Sequence, residues 1–137
     1  DVSNDDLHYR RNRIRHELMP YLRSHFNPNV ETTLAQTAEI FMAEVSYLEH
    51  QTDQVYSQVV TIEEDIWRID RTRFKTISLA LQRRVARRLL QTLLSQQPNF
   101  EHIEKLVALA NAPHQAQTDP FPGGIVARVD HTWIILQ

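Results

Sequence analysis

The 137-residue sequence contains no cysteine and only two glycines, the adjacent Gly123 and Gly124. Without cysteine the chain can form no disulfide and no thiolate-ligated zinc or iron–sulfur site. Phosphate-binding loops of the Walker, Rossmann or Ser-Gly-Gly type need glycines where the backbone approaches the phosphates, so this chain cannot bind ATP by those routes. Nothing in it resembles a nucleophile elbow either. The sequence therefore predicts no self-contained active site.

Long apolar runs and a metal-ligand pattern are also absent. No segment approaches the roughly 18 apolar residues of a membrane span, and no charged-then-apolar leader opens the chain. His16-Glu17 begins like a zinc-protease helix, but Pro20 occupies the position of the second histidine. We therefore expect a cytoplasmic domain, or a fragment of a larger protein, that lies in no membrane and binds no metal.

Charge is unevenly distributed along the chain, although the net charge is only −2. No lysine or arginine occurs between Ser24 and Trp67. This span is an acidic block: Glu31, Glu39, Glu44, Glu49, Asp53, Glu63, Glu64 and Asp65. From Arg68 to Arg88 the balance reverses, with Asp70 as the only acid. The basic regions can hold a phosphate backbone on one surface, or they can pair internally with the acidic block.

The stretch from Tyr9 to Pro20 is the most informative, because four of the six residues from Arg10 to Arg15 are arginines. We expect a helix from about Asn4 to Met19, capped by Ser3, which Pro20 kinks or ends because proline lacks an amide donor. An apolar stripe should face the core: Leu7, Ile14, Leu18 and Leu22. The opposite face should be polar and basic: Tyr9, Asn12, Arg13 and His16. That face is either solvated or directed at a polyanion or a neighbouring domain.

A long helix of about 30 residues is predicted next, with Asn27 as its cap and Pro28 at its first position. Its apolar residues repeat at spacings of four and three: Leu34, Ala38, Phe41, Val45, Leu48, Thr52, Val55 and Val59. Such a seam packs more often within a chain than between two copies, so a homodimer is the less favoured interpretation.

Two shorter helices should follow. The first, Leu81 to Leu94, carries three arginines on its polar side with no acid four residues away: Arg84, Arg87 and Arg88. They suit phosphate contacts, or they meet the acidic block. Asn99 should cap the second helix, which runs to about Ala110. Its core-facing residues should be Phe100, Ile103, Leu106 and Val107.

Three strands complete the prediction. Ile66–Asp70 alternates apolar and polar residues, and a hairpin is expected from Ile125–Val129 and Thr132–Leu136. A lone hairpin is only marginally stable, so this sheet should pack on the helices, with the hairpin pairing near Trp67. The fold class is thus mainly α, a multihelical bundle with one long helix (about 28–60) and a small antiparallel sheet formed by the strand near 66–70 and the C-terminal hairpin.

The motif Tyr9-x-Arg11-Asn12-Arg13-Ile14-Arg15-His16-Glu17-Leu18-x-Pro20-x-Leu22 closely resembles the segment after the catalytic core of tRNA(Ile)-lysidine synthetases. The resemblance continues in order through the rest of the chain. It includes Asn27-Pro28, Ala38-Glu39, Leu81-Gln82-Arg83-Arg84, Phe100-x-His102-Ile103-Glu104 and Pro122-Gly123-Gly124.

The resemblance implies a parent ligase that uses ATP with magnesium to adenylate C2 of the wobble cytidine of tRNA(Ile) with a CAU anticodon. The amine of free lysine then displaces AMP and forms a carbon–nitrogen bond, giving lysidine. In that family the ATP site is an N-terminal domain whose Ser-Gly-Gly-x-Asp-Ser loop this chain lacks. The resemblance therefore makes residues 1–26 the trailing helix of the catalytic domain and residues 27–137 the helical substrate-binding domain. The chain alone should be inactive.

By the same resemblance, a substrate, tRNA or domain-interface site is expected at the motif: Arg11, Asn12, Arg15 and His16. Arg11 and Arg15 would contact phosphate or adenylate oxygens. Asn12 would fix backbone groups at the interface, or be purely structural. A second set for the tRNA backbone is Arg84, Arg87 and Arg88. No catalytic residue, cofactor site or metal site is expected in the chain itself.

An alternative function remains open: a non-enzymatic helical interaction module that dimerises through the long helix. In that case the Leu34–Val59 seam pairs with another chain and the arginines hold acidic surfaces.

Overall fold

The computed structural model describes residues 9–137, so the cap predicted at Ser3 and the helix start expected at Asn4 lie outside the described residues. The chain divides into two compact units, the first ending at Ser46 and the second comprising Tyr47–Gln137. Helices dominate, and they are accompanied by one four-stranded antiparallel sheet. The predicted fold class is confirmed.

The first unit contains a helical run that changes type before Pro20. Helix α1 (Arg10–Arg13) continues as a π-helical segment (Ile14–Leu18) and then as α2 (Met19–His25). The N–H of Met19 donates to the carbonyl of Ile14, five residues back, which makes the turn wider than an α-turn. Pro20 then lies in the first turn of α2, where its missing donor is tolerated. The irregularity predicted at Pro20 is therefore a π-turn just before it.

The predicted orientation of this helical run is wrong. Ile14 and Leu18 are 48% and 47% exposed, whereas Asn12 is only 2% exposed. A π-turn adds one residue to a turn and so moves the later side chains around the axis by about 100°, which disrupts a stripe based on 3.6 residues per turn. Tyr9, Arg13 and His16 are exposed, but Asn12 does not share their surface.

Helix α3 (Val30–Val59) is the predicted long helix, and the boundary between the two units lies within it. It begins two residues after Pro28, because Asn27 and Pro28 form a preceding turn in which the Asn27 side chain accepts the N–H of Asn29 at 2.9 Å. The predicted seam differs between its two halves. Leu34, Phe41 and Val45 are exposed, whereas Thr52 is buried and Val55 and Val59 pack in the core of the second unit.

The sheet lies in the second unit, with strand order β1-β2-β4-β3. Its strands are β1 (Val60–Glu63), β2 (Ile66–Asp70), β3 (Ala127–Asp130) and β4 (Trp133–Leu136). The predicted pairing of the terminal hairpin is confirmed, since Leu136 lies opposite both Trp67 on β2 and Ala127 on β3. Strand β1 was not predicted, because its apolar residues continue the pattern of the helix before it.

Three helices cover one face of the sheet: α4 (Arg71–Thr76), α5 (Leu79–Leu93) and α6 (Phe100–Ala108). The predicted cap of α6 is confirmed, because Asn99 accepts the N–H of His102 at 2.9 Å and donates its own N–H to His102 Nδ1 at 3.2 Å. Phe100 does not face the core as predicted and is 67% exposed. It is the first residue of α6, and the guanidinium of Arg83 lies 5.7 Å from its ring centroid.

The core of the second unit lies between these helices and the inner face of the sheet. Its fully buried side chains alternate along the strands and repeat every three or four residues along α5. The largest are Phe74, Ile69, Leu89, Leu90, Leu106, Ile134 and Leu136. The sheet packs on the helices as predicted.

Candidate functional site

The arginine–asparagine motif lies on α1 and the π-helical segment. Arg11, Arg15 and His16 are exposed, while Asn12 is buried and its N–H donates to the carbonyl of Tyr9 at 3.0 Å. Arg11 lies on α1, and Arg15 lies four residues further along, in the π-helical segment. The structure therefore leaves both guanidiniums exposed and buries Asn12.

A second surface of the same run forms a groove of about 640 Å³. Its lining residues are Arg10, Arg13, Ile14, Glu17, Leu18 and Tyr21. Arg13 forms an exposed ion pair with Glu17 at 3.5 Å, the usual i, i+4 arrangement on a helix. This groove combines apolar walls with arginines, but it contains none of the four motif residues predicted as the site.

Two arginines of α5, Arg84 and Arg88, meet the acidic block, which is one of the two outcomes expected for this set. Arg84 forms an ion pair with Glu49, and Arg88 lies 2.9 Å from Glu49 and 2.6 Å from Asp53. These contacts join α5 to the part of α3 in the second unit. The acidic and basic segments of the sequence are thus partly complementary within the chain.

Arg87 differs from its two neighbours. It is exposed, and within the described part of the chain it forms no ion pair. All three arginines nevertheless line one pocket of about 270 Å³ together with Glu49, Thr52 and Gln91. Among the described residues, the pocket therefore presents one cation without an ion pair beside two cations that are already partly neutralised.

The surroundings of Tyr56 and Arg83 raise the pKa values of both side chains. Burial raises the pKa of Tyr56, and the positive charge of Arg88, whose Cζ lies 5.5 Å from the ring centroid, partly offsets the rise. Arg83 is held by Glu104 through two hydrogen bonds of 2.7 and 3.3 Å, and this bonding raises the pKa of Arg83. Arg83 therefore serves as a link between α5 and α6.

A further polar cluster, which sequence patterns did not predict, lies where the loop after α6 meets the β3–β4 hairpin. His114 stacks on His131 with 4.5 Å between ring centroids, and Asp130 lies beside them. His114 precedes Asp130 and His131 by 16 and 17 positions in the sequence, so only the sheet register could have indicated this cluster. Potential ligand atoms of the three residues lie within 4.8 Å of one another.

No described helix combines the length and the apolar character that crossing a bilayer would require.

Comparison with known proteins shows which protein family this chain resembles. Residues 69–132, from the end of β2 to the β3–β4 turn, match the family model of the TilS substrate binding domain. Residues 69–132 thus match that domain, and over its length the chain is homologous to part of the tRNA(Ile)-lysidine synthases. The resemblance carried by the arginine–asparagine motif is thereby confirmed.

Three relatives define the extent of the similarity. The tRNA(Ile)-lysidine synthase of Nostoc sp. is 48% identical and aligns with 100% of this chain. Those of Synechocystis sp. and Gloeobacter violaceus are 48% and 45% identical over 95% and 98% of it. The chain spans only 44%, 39% and 40% of the lengths of these three relatives.

Proposed function

We propose that this chain is the tRNA-binding part of a cytoplasmic tRNA(Ile)-lysidine synthase. The observation that supports the proposal most directly is the family match over residues 69–132, a range that includes the whole of α5 and its arginines. The names of the relatives supply the substrate, tRNA(Ile). The tRNA species is the one with a CAU anticodon.

The proposed parent reaction needs groups that this chain does not contain. ATP with magnesium adenylates C2 of the wobble cytidine in a catalytic part outside these 137 residues. The amine of free lysine then attacks C2, AMP leaves, and the new carbon–nitrogen bond gives lysidine. The chain itself contributes positioning of the tRNA, and alone it is inactive.

Positively charged side chains carry the proposed contacts. On α5, exposed Arg87 binds the phosphate backbone directly, whereas Arg84 and Arg88 are tied to α3 and contribute mainly to the local positive potential. On the motif, Arg11 and Arg15 bind phosphate or adenylate oxygens at the junction with the catalytic part. Buried Asn12 supports that junction from within.

Equilibrium binding tests the proposal. A tRNA(Ile) transcript is titrated into the 137-residue chain at several salt concentrations. Replacing Arg87 by Gln removes one phosphate contact, so the slope of log K against log salt should decrease by about one. Replacing Arg11 and Arg15 together should weaken binding further, because two cations are lost.

Lys75 provides the matched control, since it is an exposed cation in the same unit with no ion pair in the part of the chain that the structure describes. Lys75→Gln should leave both the affinity and the salt slope unchanged. Binding that is absent at low salt, or equally salt-dependent in every variant, would refute the assignment.

The exposed half of the α3 seam favours a second candidate function. Leu34, Phe41 and Val45 repeat at helical spacing and are exposed. In this alternative the chain is an interaction module that dimerises through α3. Sedimentation that shows a concentration-dependent dimer, abolished by Phe41→Glu, together with no tRNA binding would support the alternative over the first proposal.

A further inference from the structure

The loop between α6 and β3 follows β3 closely enough to form one wall of a pocket. The N–H of Gln115 donates to Val129 at 3.0 Å, the N–H of Val129 donates to Ala116 at 2.8 Å, and the N–H of Thr118 donates to Ala127 at 2.9 Å. The loop thus pairs with the outer edge of the sheet. This pairing brings residues distant in sequence to one place.

The resulting pocket has a volume of about 560 Å³, which lies within the usual range for small-ligand sites. Its lining residues are His114, Gln115, Gln117, Arg128, Val129 and Asp130. Within residues 9–137 the side chains of Gln117, Arg128 and Asp130 take part in no hydrogen bond or ion pair. The pocket therefore offers amide, guanidinium and carboxylate groups whose hydrogen-bonding capacity is unused.

The orientation of the His114 ring is fixed at the side of this pocket. The backbone N–H of His131 donates to His114 Nδ1 at 3.2 Å, so the neutral ring carries its proton on Nε2. The two imidazoles are stacked with only 15° between their planes, and both residues are exposed. Exposed aromatic rings of this kind are surfaces on which a further flat ring can stack.

The backbone is held in an unusual conformation on both sides of the stack. Gln115 and His131 have φ angles of 66° and 51°, in the left-handed region that few residues other than glycine adopt. At His131 this conformation accompanies the N–H that fixes the His114 ring. Residues in such conformations are concentrated at functional sites.

A divalent metal ion fits this arrangement poorly. Nδ1 of His114 already accepts a hydrogen bond and Nε2 carries a proton, so no lone pair of that ring is available. Stacked rings also direct their in-plane nitrogens along parallel planes, whereas metal ligands must converge on one point. A metal would have to break both the hydrogen bond and the stack.

We propose that this pocket binds one unpaired nucleotide of an RNA, with its base stacked on the histidine pair. Unpaired RNA bases are commonly recognised by stacking on aromatic side chains, including histidine, and by hydrogen bonds to their edges. Gln117 and Asp130 bind the edge of the base, and Arg128 binds the phosphate. The inference deepens the proposed function and rests on it, because it assigns an unpaired tRNA nucleotide to a defined site.

NMR titration of the 137-residue chain with a short single-stranded RNA tests the proposal. The ring signals of His114 and His131 should shift, and the same strand in a duplex should not shift them. His114→Ala should raise Kd about tenfold, since stacking on one aromatic ring contributes roughly that factor. His114→Phe keeps a stacking ring and should raise Kd by no more than about threefold.

Further titrations distinguish RNA binding at this pocket from binding of a free nucleotide or a metal ion. Free AMP and CMP should bind at least tenfold more weakly than the oligonucleotide, whereas equal binding would identify a free-nucleotide site and overturn the RNA assignment. Arg128→Gln should lower the salt slope by about one, with Lys75→Gln as the control. Zinc ions should leave the pocket signals unchanged, and zinc shifts reversed by a chelator would replace the proposal with a metal site.

Failure of the inference can be distinguished from failure of the proposed function. If His114→Ala retains its fold by amide spectra and binds RNA as tightly as the original chain, the pocket assignment is wrong. Intact tRNA binding in that variant would leave the proposed function in place. If the pocket binds single-stranded RNA but the chain binds no tRNA(Ile), the proposed function fails instead.

Discussion

Individual arginines of similar sequence context have very different roles in this chain. Arg71 belongs to the basic region that follows the acidic block, yet its guanidinium is used internally. Its Nε donates to the carbonyls of Leu109 and Ala110, both at 3.1 Å, and another of its N–H groups donates to Ala112. Arg71 therefore satisfies the carbonyls at the C-terminal end of α6.

Replacing Arg71 by Gln should lower the free energy of unfolding by about 2 kcal/mol, because partly buried carbonyls lose a charged donor. Urea denaturation of the chain measures this loss. Lys75→Gln, which removes an exposed cation nearby in sequence, should change the unfolding free energy by less than about 0.5 kcal/mol. Equal effects of the two substitutions would contradict the capping role.

The contribution of the ion pair between Arg88 and Asp53 to stability can also be tested. Their closest atoms are 2.6 Å apart, but Asp53 is exposed, so water screens much of the attraction. A double-mutant cycle with Arg88→Gln and Asp53→Asn should give a coupling energy of about 0.5–1 kcal/mol. Unfolding curves of the four proteins provide the measurement. A coupling of zero would mean that the pair does not help to hold α5 against α3.

Sequence patterns could identify the arginines of α5 as candidate phosphate ligands. They could not show which of them form ion pairs within the chain and which remain exposed. The absence of acids four residues from Arg84, Arg87 and Arg88 excluded pairing within α5, but Glu49 and Asp53 reach Arg84 and Arg88 from another helix. Only the register of α3 against α5 leaves Arg87 exposed. Single-sequence patterns do not contain that register. For the same reason the His114–His131 stack was not predicted.

Among the secondary-structure elements, the β1–β2 hairpin depends on a turn whose residues are poorly suited to it. Glu64 and Asp65 both have positive φ angles, 49° and 63°, as in a type I′ turn. Asn-Gly is the preferred pair for this turn because both residues tolerate the left-handed region.

Replacing Glu64 by Asn and Asp65 by Gly should therefore raise the free energy of unfolding by about 0.5–1 kcal/mol. Thermal and urea unfolding would measure the change. The same Asn-Gly pair placed at Thr72 and Arg73, inside α4, should be destabilising and serves as the opposite control. A destabilised turn variant would show that Glu64 or Asp65 makes a contact more important than backbone conformation.

Element types were more predictable than their faces. The long helix, the α6 cap and the pairing of the terminal hairpin with β2 follow from periodicity and turn residues, and all three are present. The side of the first helical run was wrongly predicted because a π-turn breaks the period at Ile14–Leu18. Phe100 was assigned to the core by its apolar character, although the first turn of α6 leaves it exposed.

At the scale of the whole molecule, charge segregation has two consequences. Part of the acidic block neutralises Arg84 and Arg88, and this contact joins α3 to α5. Among the described residues several cations form no ion pair, and those that we propose for contacts with a polyanion are Arg87 on α5 and Arg11 and Arg15 on the motif. The proposed binding of RNA by a chain with a net charge of −2 therefore depends on a few exposed arginines.

Steady-state kinetics of the full-length protein would test whether this chain positions tRNA(Ile) for lysidine formation. Lysidine formation is followed by mass spectrometry with tRNA(Ile), ATP and lysine. Arg87→Gln should raise KM for tRNA about three- to tenfold and leave kcat unchanged, because it removes a contact made equally in the ground and transition states. Lys75→Gln should change neither constant. Failure to form lysidine, or an Arg87→Gln variant with unchanged KM for tRNA, would contradict the proposed role of this chain in tRNA binding.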